Sequence, residues 1–161
     1  MMEKIKACAI FGYPDVEITQ TLYNATAVYL ANEVVLQGCR IFYFFSNGDF
    51  EELCRDILNI IKEKHPLFEI RKVFCSLSQE EETTSRPYFE RKDYDDVIEL
   101  PFGSSPAELY DRLSTMIDCS SSVLCYLDSD NKSDFCRAYK YAKTKKNKQI
   151  FNLYDIITSI R

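Results

Sequence analysis

The chain has no tryptophan, a single histidine and no Cys-x-x-C pair among its seven cysteines. Each absence removes a class of chemistry. With only His65 available and no paired ligand spacing, neither a structural zinc site nor any other metal site is expected. His65 stands beside Pro66 at the end of a helix-like segment and reads as a surface residue, so no Ser-His-Asp arrangement can be built around it. The cysteines (8, 39, 54, 75, 119, 125 and 136) are odd in number and mostly sit among apolar neighbours, the pattern of reduced, buried thiols. No apolar run approaches the roughly 20 residues that span a bilayer. The opening Met-Met-Glu-Lys-Ile-Lys leads into a strand-like run without the apolar stretch of a signal peptide, so a cytoplasmic location is expected. Basic charge is short too: 20 Lys and Arg against 25 Asp and Glu leave a net charge of −5, which argues against a duplex nucleic-acid partner. Nothing calls for a cofactor.

What is present fits one globular domain over residues 1–161. Hydrophobic residues make up 46% and charged residues 28%, and 11 Tyr with 11 Phe supply an aromatic core. No repeat, low-complexity tract or linker interrupts the chain. Residues 5–11 read as a strand buried on both faces, and 19–36 as a helix closed by Gly38. A strand over 40–45 precedes a helix starting near Asp49, where Asp49 and Glu52 have capping-box spacing. That helix carries an apolar stripe of Phe50, Leu53, Cys54, Ile57, Ile60 and Ile61 and stops at Pro66. A strand over 69–75 leads into an irregular, solvated segment over 76–94 containing three glutamates (80–82) and Pro87. Then come a short strand (95–100), a helix opened by Ser105-Pro106-Ala107-Glu108, a strand (122–127), a helix (132–146), a strand (149–153) and a short terminal helix. Lys143, Lys145, Lys146 and Lys148 crowd the end of helix 132–146 and complement its dipole, an anion-binding patch being the alternative. Strands alternating with helices imply an α/β, Rossmann-like doubly wound fold, its sheet mostly parallel and covered by helices on both faces.

In such sheets ligands meet the turns that follow the strands. Three turns stand out: Phe11-Gly12-Tyr13-Pro14, Phe45-Ser46-Asn47-Gly48-Asp49 and Tyr126-Leu127-Asp128. With these in view, the sequence resembles the SLOG superfamily, the Rossmann-like group of the Smf/DprA and Lonely Guy proteins, and within it the small single-domain bacterial branch. Four features carry the likeness across nearly the whole chain. Cys8-Ala9-Ile10-Phe11-Gly12 stands where that branch has a strand ending in Phe-Gly-His-Arg. Gly48, Phe50 and Glu51 match its Gly-x-x-Gly-x-Phe-Asp. Arg112 through Ile117-Asp118 matches its Arg-x-x-x-Met-Ile-Asp helix. Val123 to Leu127 takes the place of the strand before its Gly-Gly-Ala turn. The chain departs where Tyr13-Pro14 replaces His-Arg, where Ser46 replaces a glycine, and where residues 128–133 replace the Gly-Gly turn.

The resemblance implies a nucleotide or nucleotide-derived ligand at the carboxyl edge of the sheet. Some relatives cleave the N-glycosidic bond of nucleoside monophosphates; others bind without known chemistry. Each candidate residue carries two readings. Gly12 either admits a ligand to the strand edge or adopts a positive φ in a tight turn. Tyr13 either stacks on a base or anchors its loop. Ser46, Asn47 and Gly48 with Phe50 form either an anion site at a helix start or a plain turn into that helix. Glu51 is either a general acid or base, or a ribose ligand, or a surface charge at a helix N-terminus. Arg112 either binds phosphate or carboxylate or pairs with Asp111 or Glu108 at the surface. Asp128 contacts ribose or a cation, or caps its loop. The expected function is nucleotide-type binding or sensing, a small molecule being the partner and no membrane being involved. A phosphoribohydrolase of the Lonely Guy kind and a non-catalytic scaffold that associates with itself or another protein are the alternatives.

Overall fold

The computed structural model describes residues 5–46, 48–77, 94–100, 108–128 and 133–159. Along the chain these residues form β1 (Lys6–Gly12), α1 (Gln20–Val35), β2 (Cys39–Phe44), α2 (Asp49–Lys64), β3 (Arg71–Leu77) and β4 (Asp96–Leu100). There follow α3 (Glu108–Asp118), β5 (Ser122–Tyr126), α4 (Asp134–Lys143), β6 (Gln149–Asn152) and α5 (Leu153–Ser159). The strands build one six-stranded sheet in the order β4-β3-β2-β1-β5-β6, with every pairing parallel. The fold is α/β, Rossmann-like and doubly wound.

Period-two alternation in the strands decides which helix lies on which face. Cys8, Ile10, Phe42, Phe44, Phe74 and Leu124 point to the layer where α1, α2 and α5 bury Leu22, Leu30, Phe50, Ile57 and Leu153. Ala9, Phe11, Phe45, Cys75, Val123 and Cys125 point to the opposite layer, against Leu113, Met116 and Ile117 of α3 and Ala138 and Ala142 of α4. Being covered on both sides is what makes β1 and β5 continuous apolar runs. All seven cysteines are free thiols and six are buried; burial pushes Cys8, Cys39, Cys54, Cys75 and Cys125 above their usual range, so they stay protonated at neutral pH. Among the described residues, no helix is long and apolar enough to cross a membrane.

Several expectations change. β3 runs on through Ser76 and Leu77, read from sequence as loop, because they pair with Glu99 and Leu100 of β4; residues 78–93, with the three glutamates and Pro87, lie outside the described residues, as do Ser105, Pro106 and Ala107. The capping box at Asp49 does not form: Gly48 is the N-cap, and the Asp49 carboxylate accepts from Val16 N at 3.0 Å instead. In α2 Leu58 is buried, whereas Ile60 is exposed. α4 ends at Lys143, where a tight turn brings Thr144 N to Tyr141 O. Lys145 and Lys148 therefore lie beyond it and serve a different helix end: Lys145 reaches the Asp118 carboxylate at 3.8 Å, and Lys148 donates to the carbonyls of Asp118 and Ser120 that close α3.

Going out from β1 in either direction, the chain must reverse: β2 lies on one side and β5 on the other. That reversal parts the turns after β1 and β5 at the carboxyl edge, the position at which open α/β sheets in general meet their ligands. Gly12 ends β1 there, paired with Tyr126. Its φ is not positive, so conformational freedom is not why glycine is needed. A Cβ at Gly12 would stand 2.8 Å from Phe50 Cδ2, and Phe50 cannot retreat because it is fully buried and stacked on Tyr126 at 5.9 Å. Gly12→Ala is expected to cost about 1–3 kcal/mol by overpacking. Urea unfolding would measure it, and in a Phe50→Leu background the penalty should shrink; an unchanged penalty there would point to backbone strain instead.

Candidate functional site

At the carboxyl edge the predicted residues are stitched to one another. The backbone of Pro14 crosses the start of α2: Asp49 N donates to Pro14 O at 2.8 Å, and a Cβ at Gly48 would fall 2.8 Å from Pro14 Cα. Glycine at 48 is what lets the two loops touch. The N-terminus of α2, the expected anion cradle, thus already receives a carbonyl of the same chain, and its first turn carries Asp49, Glu51 and Glu52. Asn47 lies outside the described residues.

Glu51 is buried, not a surface charge. Its carboxyl accepts from Phe45 N at 2.6 Å and Ser46 N at 3.0 Å through Oε1, and meets Ser46 Oγ at 2.5 Å through Oε2. Ser46 Oγ in turn accepts from Gly48 N at 3.2 Å. Burial raises the Glu51 pKa to about 7, against the opposing pull of these donors and of the Arg112 charge. Arg112 is also buried, not at the surface; it reaches from α3 to donate to Cys75 O at 3.2 Å. Phe50 forms the floor, packed beneath Gly12 and Tyr126.

Tyr13 bridges the reversal. Its hydroxyl accepts from Asp128 N at 3.1 Å and donates to Asp128 O at 2.9 Å, joining turns 115 residues apart. Burial and the neighbouring Cys136 push the Tyr13 pKa up to about 12, so it remains a phenol. Asp128 therefore enters the edge through its backbone; residues 129–132 lie outside the described residues.

Asn152 escaped the sequence reading. Its side-chain amide accepts from Leu127 N at 3.0 Å and donates to Leu127 O at 2.8 Å, continuing the β5–β6 ladder with a side chain where β6 ends. The one signal for it is a polar residue closing the apolar pair Ile150-Phe151. At the opposite end of the sheet, a groove of about 660 Å³ is lined by Arg40, Lys62, Phe68, Arg71 and Asp95. Its cations are engaged: Arg40 with the Val34 and Cys39 carbonyls, Lys62 with Asp95, and Arg71 with Asp96.

Two outcomes follow for the clamp and the bridge. Glu51 has a folded pKa above its unfolded one, so its contribution to stability is fully present below the unfolded value near 4.5 and is lost as pH rises through about 7. Glu51→Gln should flatten that part of the profile, so that the stability of the variant relative to wild type rises between pH 5 and 8 in parallel denaturant titrations; a constant difference would remove Glu51 as the titrating group. Tyr13→Phe takes the bridge from both Asp128 backbone groups and should cost about 1–3 kcal/mol by the same measurement. Compared with known proteins, the chain matches no protein-family model and no curated protein.

Proposed function

We propose that this chain is a non-catalytic protein that binds or senses a nucleotide-type small molecule at the carboxyl edge between β1 and β5. The observation that supports the reading is the placement of Tyr13. The backbone ladder between β1 and β5 ends at Tyr13 N, which donates to Tyr126 O at 3.4 Å, and past that point the Tyr13 side chain joins the turns where the strand order reverses; a side chain can swing aside. Gly12, Ser46, Gly48 and Asp128 border that point, and the resemblance to the SLOG superfamily names the ligand class. A ligand there would have to replace the Tyr13 hydroxyl on the Asp128 backbone, which a ribose or base edge can do because each both donates and accepts.

One observation favours the phosphoribohydrolase alternative. Glu51 is a buried carboxyl whose pKa is brought to about 7, the range that suits a general acid. Against it, both carboxyl oxygens are taken up by Phe45 and Ser46, and the α2 N-terminus receives the Pro14 carbonyl where a phosphate would bind.

A thermal-shift series with nucleoside monophosphates, diphosphates and ADP-ribose tests binding. Stabilisation of about 2.7 kcal/mol is expected for a ligand supplied at 100 times its Kd. Tyr13→Phe should alter the affinity for whichever compound responds; no response across the series would overturn the reading. Release of free base from AMP, abolished by Glu51→Gln, would instead establish the enzyme.

A further inference from the structure

Just past the end of β5, two consecutive residues have both backbone polar groups taken by a side chain, in two different ways. Leu127 is paired by Asn152: the amide oxygen accepts from Leu127 N at 3.0 Å, and the amide nitrogen donates to Leu127 O at 2.8 Å. These bonds end on two separate atoms of one plane, the arrangement that a nucleobase edge also carries. Asp128 is paired by Tyr13, and here both bonds end on one atom. The Tyr13 hydroxyl oxygen lies 3.1 Å from Asp128 N and 2.9 Å from Asp128 O. A group that donates and accepts at the same atom makes such a pair, and an alcohol is one.

The Asp128 pair has its own supports besides Tyr13. Asn152 is buried and its amide is used to capacity: it also accepts from Tyr154 N at 3.2 Å and donates to the Asp155 carboxylate at 3.3 Å. It therefore fixes Leu127, the residue before. On the other side Cys136, buried in the first turn of α4, donates its thiol to Asp128 O at 3.2 Å. Its own backbone N–H is tied to Ser133 Oγ, the cap of that helix. A carbonyl oxygen has two lone pairs, so the thiol and a hydroxyl share Asp128 O. With Tyr13 swung aside, Asp128 N–H and C=O remain aimed at one point.

Resting on the nucleotide reading above, we infer that the Asp128 backbone pair is a subsite for a sugar hydroxyl, so that the ligand engages this turn through its ribose and not through its base. Tyr13 is the internal stand-in for that hydroxyl. Cys136 and Asn152 are positioning residues behind it. A ligand hydroxyl takes over both bonds that Tyr13 gives up; an analogue with hydrogen in its place takes over neither.

Titration calorimetry of the full chain tests this without any variant that must fold. The probes are AMP, its 2′-deoxy, 3′-deoxy and 2′,3′-dideoxy forms, adenine, and ribose 5-phosphate. The dideoxy form should bind roughly tenfold or more weakly than AMP, the single deoxy forms showing which hydroxyl is held, and adenine should not bind. Tyr13→Phe should tighten AMP and the dideoxy form by the same factor, because both displace the same two bonds. Cys136→Ala should narrow the AMP-to-dideoxy ratio, and Cys136→Ser should restore it. A dideoxy form within about twofold of AMP, or adenine as tight as AMP, would overturn the hydroxyl subsite while the nucleotide reading stands. A Tyr13→Phe variant that binds every probe more weakly would overturn the stand-in role and with it the subsite. Ribose 5-phosphate bound where AMP is not would keep the subsite and overturn the nucleotide as its source. No binding by any probe would overturn both.

Discussion

The carboxyl edge of the sheet depends on a carboxyl group placed where a carboxyl group is costly. Glu51 projects from the first turn of α2 back onto the end of β2, where Phe45 N, Ser46 N and Ser46 Oγ converge on it. Taking an isolated carboxylate from water costs several kcal/mol, and three donors with a buried arginine nearby offset most of it. The clamp sets the turn after β2, and that turn sets where Gly48 sits. Gly48 then lets Pro14 lie across the head of α2, which directs the loop after β1 so that Tyr13 reaches Asp128. One buried group thus propagates through three consecutive contacts to the reversal between β1 and β5.

The fold was largely legible because it rests on periodicity. The runs 5–11 and 122–127, both buried on two faces, and the stripe of α2 state their surroundings directly, and a parallel sheet with helices on both faces follows from their alternation. The meeting of the turns after β1, β2 and β5 at one edge was legible, but not the contacts by which they meet. Gly12 announced a tight place, yet it is a rotamer of Phe50, 38 residues further on, that makes it tight. Glu51 at a helix start resembles every solvated helix-start glutamate; only coordinates reveal that its carboxyl turns inward. Asn152 is a polar residue at the end of a strand that the sequence reading passed over, and nothing in its neighbours names Leu127 as its partner. Lys145 and Lys148 were read against the helix they follow, while three-dimensional proximity assigns them to the end of α3. In each case the missing quantity was a contact distant in sequence, which spacing cannot encode.

Magnitudes decide by which door a ligand could enter the edge. Displacing Tyr13 breaks its two hydrogen bonds to the Asp128 backbone, worth about 0.5–1.5 kcal/mol each net, and a longer contact to Cys136 Sγ; an incoming hydroxyl or amide can replace the two backbone bonds. A ligand of micromolar affinity releases about 8.2 kcal/mol, ample to cover that. Displacing Glu51 would strip two buried backbone N–H groups and a hydroxyl of their acceptor and leave Arg112 with its countercharge moved, at about 1–3 kcal/mol for each orphaned group. The turn it clamps would loosen as well, and with it the floor that any ligand needs. The edge is therefore soft at Tyr13 and hard at Glu51, so a ligand of the proposed kind would enter on the β1–β5 side, with the β2–α2 side as its support.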